Sequence, residues 1–440
     1  MKCLIVAAGK GSRLWQRGDV KPLVPILGIP LIERVIRSAV EAGLDDFYVV
    51  SGYRGERVRT FLDGLARRCR VKITHVINEA WEQGNGLSVL KARKYLNEHF
   101  VLLMADHLFD PSIVHELIRQ PPNDGEILLA VDSYTSSPLV DMKDVTRVKI
   151  VDGRVSDIGK GLMPFNGFDT GIFLCTPPLF EALEHVMSED GDTSLSGGVH
   201  YLAARGRVKA FDIGGRFWID VDDPNAIDKA ERSLLARLRG KQNDGPVSRY
   251  LNRPLSINIS RYLARLPVTP NQISLASFFC SVLAAKLFAL GNYLALTAGG
   301  FLAQFASIID GCDGEIARLK FQESKFGGWF DAVLDRYADA FLLLGLTWHV
   351  YTNNTNKFVV FIGFMAIIGS FMLSYTADKY DSLMRSLTRS PRGIRIGRDV
   401  RVFLVFLGAL LNQPLPTLVI IAVLMNGEVI RRIFVCREQH

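Results

Sequence analysis

From residue 270 onward the chain is dominated by apolar runs that approach the ~20 residues needed to cross a bilayer, whereas up to about residue 245 no run comes near that length. The two halves must therefore fold by different rules. One needs a core hidden from water, and the other must satisfy its backbone polar groups within its own helices. A total of 440 residues also exceeds one compact core and suits two domains of roughly 200 residues. The expected division is 1–237 and 249–440, joined by a linker over 238–248. The linker stretch Arg239-Gly240-Lys241-Gln242-Asn243-Asp244-Gly245-Pro246 is polar and turn-rich.

Composition narrows the classes further. Hydrophobic residues make up 48% and charged residues 22%, which excludes a disordered charged tail protein. The net charge of +7 comes without aromatic-interleaved basic runs, so no nucleic-acid partner is expected. Cys3, Cys69, Cys175, Cys280, Cys312 and Cys436 are scattered, with no CxxC pair and no His at ligand spacing. That argues against a disulfide framework or zinc site and suits a reducing compartment. The start runs straight into Leu4-Ile5-Val6 with no signal peptide, so the first half is expected to stay in the cytoplasm.

In that half short apolar runs (LIVAA, FYVVSG, KITHVI, HFVLLMAD) alternate with helical patterns over Leu31 to Ala42, Glu56 to Leu65 and Leu87 to Leu96. Buried strands alternating with amphipathic helices imply an α/β fold with a mostly parallel sheet, whose ligands bind beyond the carboxyl ends of the strands. The loop after the first strand reads Ala7-Ala8-Gly9-Lys10-Gly11-Ser12-Arg13-Leu14, followed by Lys21-Pro22-Leu23. Its glycines let backbone N–H groups approach phosphate oxygens, and Arg13 and Lys21 add positive charge. This loop resembles the LxxAGxGxR…KPL motif of the sugar-phosphate nucleotidyltransferases, a Rossmann-like fold.

The resemblance implies that Ala8, Gly9, Gly11, Arg13 and Lys21 hold a nucleoside triphosphate, with Arg13 and Lys21 catalytic. Glu82-Gln83-Gly84-Asn85-Gly86 then falls where the family recognises the base, through Gln83 and Gly86, and looks like the cytidylyltransferase branch. Asp106 and Asp220 would hold Mg²⁺ or Mn²⁺ against the α-phosphate. Phe168-Asp169-Thr170-Gly171 resembles the acceptor strand. Lys149 and Lys160 are candidate ligands for the acceptor phosphate. Asp222 and Asp223, just before Pro224, are expected to cap a helix instead.

The second half shows about six candidate spans, near 272–290, 294–317, 328–351, 357–377, 399–411 and 415–435, an all-α polytopic membrane domain. Lys and Arg concentrate before the first, between the second and third, between the fourth and fifth, and after the sixth. The positive-inside rule then puts both termini in the cytoplasm, in a multi-pass protein of the plasma membrane. Residues 251–266 alternate Arg with apolar residues at helical spacing and read as an interfacial helix among membrane lipids.

Asp310, Asp313, Asp331 and Asp335 are the anomaly, because ionised groups in apolar spans are costly and normally functional. The spacings of three and four put each pair on one helix face, and a structural reading would need cationic partners, for which Arg318 alone is too few. Gly311, Gly314, Gly327 and Gly328 are expected to let the two helices approach closely. Facing carboxylates suit Mg²⁺ or Mn²⁺. The run Asp310-x2-Asp313-Gly314-x2-Ala317-Arg318-x8-Gly327-x3-Asp331-x3-Asp335 is identified as that of the CDP-alcohol phosphotransferases. That resemblance implies metal on Asp310, Asp313 and Asp331. It makes Asp335 the general base with a share in the metal, and it puts Gly314 and Arg318 on the nucleotide. Arg398 and Arg401 resemble acceptor-phosphate arginines, and Asp339 is equally open to a structural role.

Together the halves make a pathway, and the pairing resembles bifunctional enzymes that make CDP-inositol from CTP and inositol 1-phosphate. Those enzymes then transfer the inositol phosphate to a second inositol 1-phosphate, with release of CMP. The resemblance implies CTP, inositol 1-phosphate and a CDP-alcohol as partners, and a homodimer. The alternative is a phospholipid-type transferase acting on a lipid or other alcohol, with a regulatory or differently specific nucleotidyltransferase domain.

Overall fold

The structure is a computed structural model that describes residues 1–239, 245–386 and 397–437. Residues 240–244 of the expected linker and the loop arginines Arg389, Arg392 and Arg395 lie outside the described residues. The chain divides into two compact units, Met1–Ser233 and Leu234–His440.

The first unit is built on a nine-stranded sheet. Its strands lie in the order Lys72–Ile77, Asp46–Ser51, Lys2–Ala7, Phe100–Met104, Gly167–Cys175, Ile127–Asp132, Val208–Asp212, Arg154–Gly159 and Arg147–Val151. Both faces of the central strands are buried. Leu4, Val50 and Leu102 pack with Val89, Phe180 and Leu202 from helices on one side, while Cys3, Ile5, Phe47, Val49 and Val101 are fully buried on the other. Alternating side chains that are all apolar leave the strand no solvent face, the pattern of a sheet covered twice.

The first four strands pair in parallel, as does Val208–Asp212 with Ile127–Asp132. The remaining neighbours are antiparallel. For the last pair the reason is local. Arg147–Val151 and Arg154–Gly159 are joined only by Asp152 and Gly153, with φ of 49° and 74°, a hairpin turn with no room for a crossover helix. A separate small ribbon pairs Trp218–Asp220 with His107–Phe109 and sets Asp220 opposite His107.

In the second unit the six expected spans correspond to helices Pro270–Ala289, Tyr293–Leu319, Lys325–Asn353, Phe358–Ser386, Arg398–Leu410 and Pro414–Arg437, preceded by Arg253–Leu263. Their starts are encoded: Thr269 with Gln272 forms a capping box, and Asn292 and Ser324 cap the next two. Among the described residues three helices are long and apolar enough to cross a membrane: Pro270–Ala289, Tyr293–Leu319 and Phe358–Ser382. The others depart for visible reasons. Lys325–Asn353 carries Asp331, Asp335, Arg336 and Asp339, and Pro414–Arg437 carries Glu428, Arg431 and Arg432. Arg398–Leu410 has 13 residues, about 20 Å at 1.5 Å per residue, shorter than a ~30 Å hydrocarbon layer.

The Tyr293–Leu319 and Lys325–Asn353 helices each pack along Pro270–Ala289, which holds their acidic faces beside a common support. Three of the four glycines expected to bring the two acidic helices together, Gly311, Gly327 and Gly328, do something else. A Cβ on Gly328 would meet nothing, one on Gly327 would meet Ser324 and Asn271, and one on Gly311 would touch Ser256 and Arg253. Close approach is made elsewhere. A Cβ on Gly345 would come 2.5 Å from the Ala285 carbonyl oxygen, and one on Gly299 would come 2.7 Å from the Phe288 ring. Small residues matter where backbones meet, and these helices meet along Pro270–Ala289 rather than at the carboxylates.

Candidate active sites

In the first unit the loop after Lys2–Ala7 turns at Gly11, whose φ of 62° strains any residue with a Cβ. A Cβ there would also collide with the Lys21 side chain, so glycine makes the turn and lets Lys21 pass. The Lys21 ammonium ion-pairs with Asp106 and Asp222. Burial disfavours its charge, but Asp106, Asp222 and Asp220 outweigh burial and raise its pKa. Asp222 is therefore a site residue, against the expectation that it caps a helix. Asp223 alone does that, accepting from the Ala226 N–H at 2.7 Å.

The ribbon pairing brings His107 between the two aspartates. Its Nδ1 donates to the Thr170 carbonyl at 2.7 Å, and its Nε2 lies 3.7 Å from Asp106 and 3.5 Å from Asp220. Burial opposes its charge, yet Asp220 and Asp106 push its pKa up to about 10. Gly171, with φ of 72°, leaves room for this ring, since a Cβ would strike it. Next to it the Gly171 N–H donates to Asp169 Oδ1 at 2.8 Å, and burial pushes the Asp169 carboxyl up to about 6.

Asp106, His107 and Asp220 each offer a ligand atom, all within 4.8 Å of one another. Asp220 Oδ1 is buried without a hydrogen-bond partner, so the donor set fits a divalent cation. Gly9, Gly11, Arg13, Lys21 and Asp106 line a cavity of roughly 250 Å³, and Ala8 is buried behind the loop. A larger cavity of roughly 640 Å³ adjoins it, lined by Arg13, Asp106, Asp144, Lys160, Asp169 and Asp220. Arg13 Nη1 and Lys160 Nζ each lie 2.5 Å from an oxygen of Asp144. Lys149 is exposed and lines neither cavity. Gly84 and Gly86 have a packing role of their own, because a Cβ on either would collide with the Thr193–Ser194 backbone, while Gln83 stays exposed.

In the second unit Asp310, Asp331 and Asp335 bring carboxylate oxygens within 4.8 Å of one another. Asp313 is not one of these three, although it lies within hydrogen-bond reach of Asp331; it accepts from Ser274 Oγ at 2.5 Å and from the Gly314 N–H. Ser277 Oγ donates to Asp310 at 3.1 Å. Asp331 Oδ1 is buried with no hydrogen-bond partner, and three convergent carboxylates from two helices fit a hard divalent cation. Arg318 lies half-buried one turn beyond Gly314, at the end of the same helix.

Besides the adjacent Arg336, whose Nη1 lies 3.7 Å from Asp335, the cations that balance these carboxylates come from far along the chain. Arg398 Nη1 lies 2.6 Å from both Asp310 and Asp335, and its Nε lies 3.2 Å from Asp339. Arg401, only 4% exposed, pairs with Asp339 at 2.6 Å and donates to Ser374 Oγ at 3.1 Å. The pairing of Arg398 with Asp310 is not legible in sequence because the two are 88 residues apart. Asp339 thus has a structural role, anchoring both arginines. A cavity of roughly 160 Å³ is lined by Asn252, Arg253, Ser256, Asp310, Asp335 and Arg398. Arg401 stands behind it.

Sequence reasoning missed His107, Asp144, Ser274, Ser277, Glu315 and Arg253. His107 directly follows Asp106, and Ser274 and Ser277 share a helical face, so those signals existed. Glu315 is fully buried and accepts from Arg253 Nη1 at 2.8 Å, Ser256 Oγ at 2.6 Å and Ser260 Oγ at 2.7 Å. Only the four-residue spacing of the serines hinted at that contact.

Residues 3–201 match the MobA-like NTP transferase domain family, and residues 267–431 match the CDP-alcohol phosphatidyltransferase family. The chain is 38% identical over 438 residues to the bifunctional IPC transferase and DIPP synthase of Rubrobacter xylanophilus, covering 99% of this chain and 96% of that one. It is 31% identical to the Aquifex aeolicus protein of the same name, covering 98% and 97%. A third protein of that name, from Archaeoglobus fulgidus, is 32% identical over 94% of this chain and 79% of its own length. Among solved structures, the inositol-1-phosphate CTP transferase from T. maritima is 26% identical, with a TM-score of 0.47, over 52% of this chain and 93% of that one.

Proposed function

The chain belongs to the family of the bifunctional IPC transferases and DIPP synthases, and on that premise we propose that its two units catalyse successive steps. The first transfers a cytidylyl group from CTP to inositol 1-phosphate, giving CDP-inositol and pyrophosphate. The second transfers the inositol phosphate group of CDP-inositol to a hydroxyl of another inositol 1-phosphate, giving a phosphorylated di-inositol phosphate and CMP. One observation carries this: each unit has its own cluster of convergent carboxylates beside an arginine, in a chain matched by such relatives over 99% of its length. The same full-length match favours two activities over a merely regulatory first unit.

In the first step, the N–H groups of Ala8 to Gly11 cradle the triphosphate, Gln83 and Gly86 meet the base, and Arg13 and Lys21 offset charge on the phosphates. Asp106 and Asp220, with His107 between them, would hold one divalent cation, and Asp310, Asp331 and Asp335, with Asp313 in support, another. Such a cation supplies charge neutralisation at the phosphoryl oxygens. Lys160 meets the acceptor phosphate, which attacks the α-phosphorus as pyrophosphate leaves.

In the second step, Asp335 takes the proton of the acceptor hydroxyl as that oxygen attacks the inositol-bearing phosphorus and CMP leaves. Gly314 and Arg318 face the nucleotide, and Arg398 faces the acceptor phosphate. Arg401, held by Asp339, positions Arg398. The second unit lies in the plasma membrane among its lipids as a multi-pass domain, with both termini in the cytoplasm beside the CTP pool, and pairs into a homodimer. The distribution of Lys and Arg supports that orientation.

The test supplies labelled CTP and inositol 1-phosphate to the purified protein and identifies the products, with each cluster inactivated in turn. Pyrophosphate, CDP-inositol, CMP and a phosphodiester are expected. Absence of CDP-inositol would overturn the first assignment, and its accumulation by the unaltered protein would overturn the second.

A further inference from the structure

Asp144 has no place in the two steps above, yet it sits where both substrates of the first must meet. Its Oδ2 lies 2.5 Å from Arg13 Nη1 and its Oδ1 lies 2.5 Å from Lys160 Nζ, so a single carboxylate ties two cations together. Arg13 belongs to the glycine loop and lines both cavities, while Lys160 lines only the larger. The exposure is uneven: the side chains of Arg13 and Lys160 are 58% and 65% exposed, whereas that of Asp144 is 22% exposed. The carboxylate lies beneath its cations, and they face the space a ligand would enter.

The segment bearing Asp144 is a compact turn. The N–H groups of Asp144 and Val145 both donate to the Asp141 carbonyl, at 3.2 and 3.0 Å, and the Lys143 N–H donates to Asp141 Oδ1 at 3.0 Å. Arg13 and Lys160 hold the Asp144 carboxyl well below the usual carboxylate range, so it remains an anion wherever the protein is folded at neutral pH.

We propose that Asp144 is a resident competitor for the substrate phosphates: it occupies Arg13 and Lys160 together, and either CTP or the alcohol phosphate displaces it from both, so that binding one substrate favours the other. The proposal rests on the cytidylyl-transfer reading of this unit. Phosphate groups outbid a lone carboxylate for Arg13 because they bring more charge and more acceptor oxygens. Their charge also repels Asp144, and a carboxylate pushed off Arg13 leaves Lys160 uncovered for the second substrate. Without that device, two anionic substrates sharing one cavity would only oppose each other. Linkage requires the effect to be reciprocal at equilibrium.

The experiment measures equilibrium binding of CTP to the full chain by calorimetry, in EDTA so that nothing turns over, with and without saturating inositol 1-phosphate. In wild type, inositol 1-phosphate should tighten CTP by about 5-fold or more, within the usual range of coupling. Asp144→Asn and Asp144→Ala should bind CTP alone more tightly, and inositol 1-phosphate should then leave CTP affinity unchanged or weaken it. Weaker CTP binding by both variants would make Asp144 a positioning residue for Arg13 and overturn the proposal, as would coupling that survives both substitutions. Pyrophosphate release from CTP is followed in parallel, with a divalent cation present. Normal release by wild type without coupling overturns this inference alone, whereas no release at all brings down the cytidylyl-transfer reading with it.

Discussion

Glu315 and Arg253 form an ion pair at 2.8 Å in which the glutamate is fully buried, and through it the Arg253–Leu263 helix is fastened to Tyr293–Leu319, the helix that carries Asp310 and Asp313. Ser256 and Ser260 satisfy the remaining carboxylate lone pairs. Breaking a buried pair from one side leaves an uncompensated charge, which costs about 3–5 kcal/mol. Glu315→Ala should therefore lower thermal stability in detergent far more than Glu315→Gln, which still accepts hydrogen bonds. Equal melting of both variants and wild type would show that this contact does not hold the helix.

Asp169 gives the first unit a pH dependence of stability with a definite sign. Burial pushes its carboxyl up to about 6 in the folded chain, against an ordinary value near 3.9 when unfolded. Between those values the folded state keeps a proton that the unfolded state has lost, so the contribution falls as pH rises. It is fully present below about pH 4 and gone above about pH 6. The melting temperature of wild type minus that of Asp169→Asn should decline across that window and then level off. A difference that grew with pH would mean the carboxylate is stabilised as an anion.

How far the sequence discloses these sites depends on how locally they are built. The Asp310 to Asp335 run lies on two successive helices at fixed spacing, so its convergence follows from helix periodicity. The loop from Ala8 to Lys21 is legible for the same reason, with Gly11 marking both the turn and the passage of Lys21. The pairing of Arg398 with Asp310 and Asp335, the hold of Asp144 on Arg13 and Lys160, and the Glu315–Arg253 pair are not legible, because packing across long separations makes each contact. Asp222 was misjudged because a carboxylate before Pro224 satisfies a helix cap equally well in sequence, and only the fold shows that Asp223 takes that role. The antiparallel half of the sheet is less legible because Ile127–Asp132 and Gly167–Cys175 are as fully buried as the parallel strands, so burial alone does not reveal strand direction.

The orientation of the second unit rests on the distribution of Lys and Arg, and Asn354 tests it. That residue follows Lys325–Asn353 and begins the Asn354–Lys357 connection, which the positive-inside rule puts outside the cell. A cysteine introduced at Asn354 should react with a membrane-impermeant maleimide on intact cells, after the native cysteines are replaced. Reaction only after permeabilisation would invert the topology and take the first unit away from the CTP pool.

The separateness of the two sites makes the sharpest demand. Lys21 lies among Asp106 and Asp222 in the first unit, and Asp335 lies with Asp310, Asp331 and Arg398 in the second. Removing a general base costs about 10²–10⁴-fold in rate. Asp335→Asn keeps the side-chain shape but deletes the base and one negative charge from the cluster. It should still convert CTP and inositol 1-phosphate to the CDP-alcohol, which accumulates because CMP release fails. Lys21→Ala should do the reverse. It should make no CDP-alcohol from CTP, yet form phosphodiester at the wild-type rate when CDP-alcohol is supplied. The measurement is a nucleotide product assay on both variants in liposomes. Loss of both activities in Asp335→Asn, with the protein still folded, would mean one shared or coupled site. CMP release at the wild-type rate would remove Asp335 from the role of base, even though Asp310 lies equally close to Arg398.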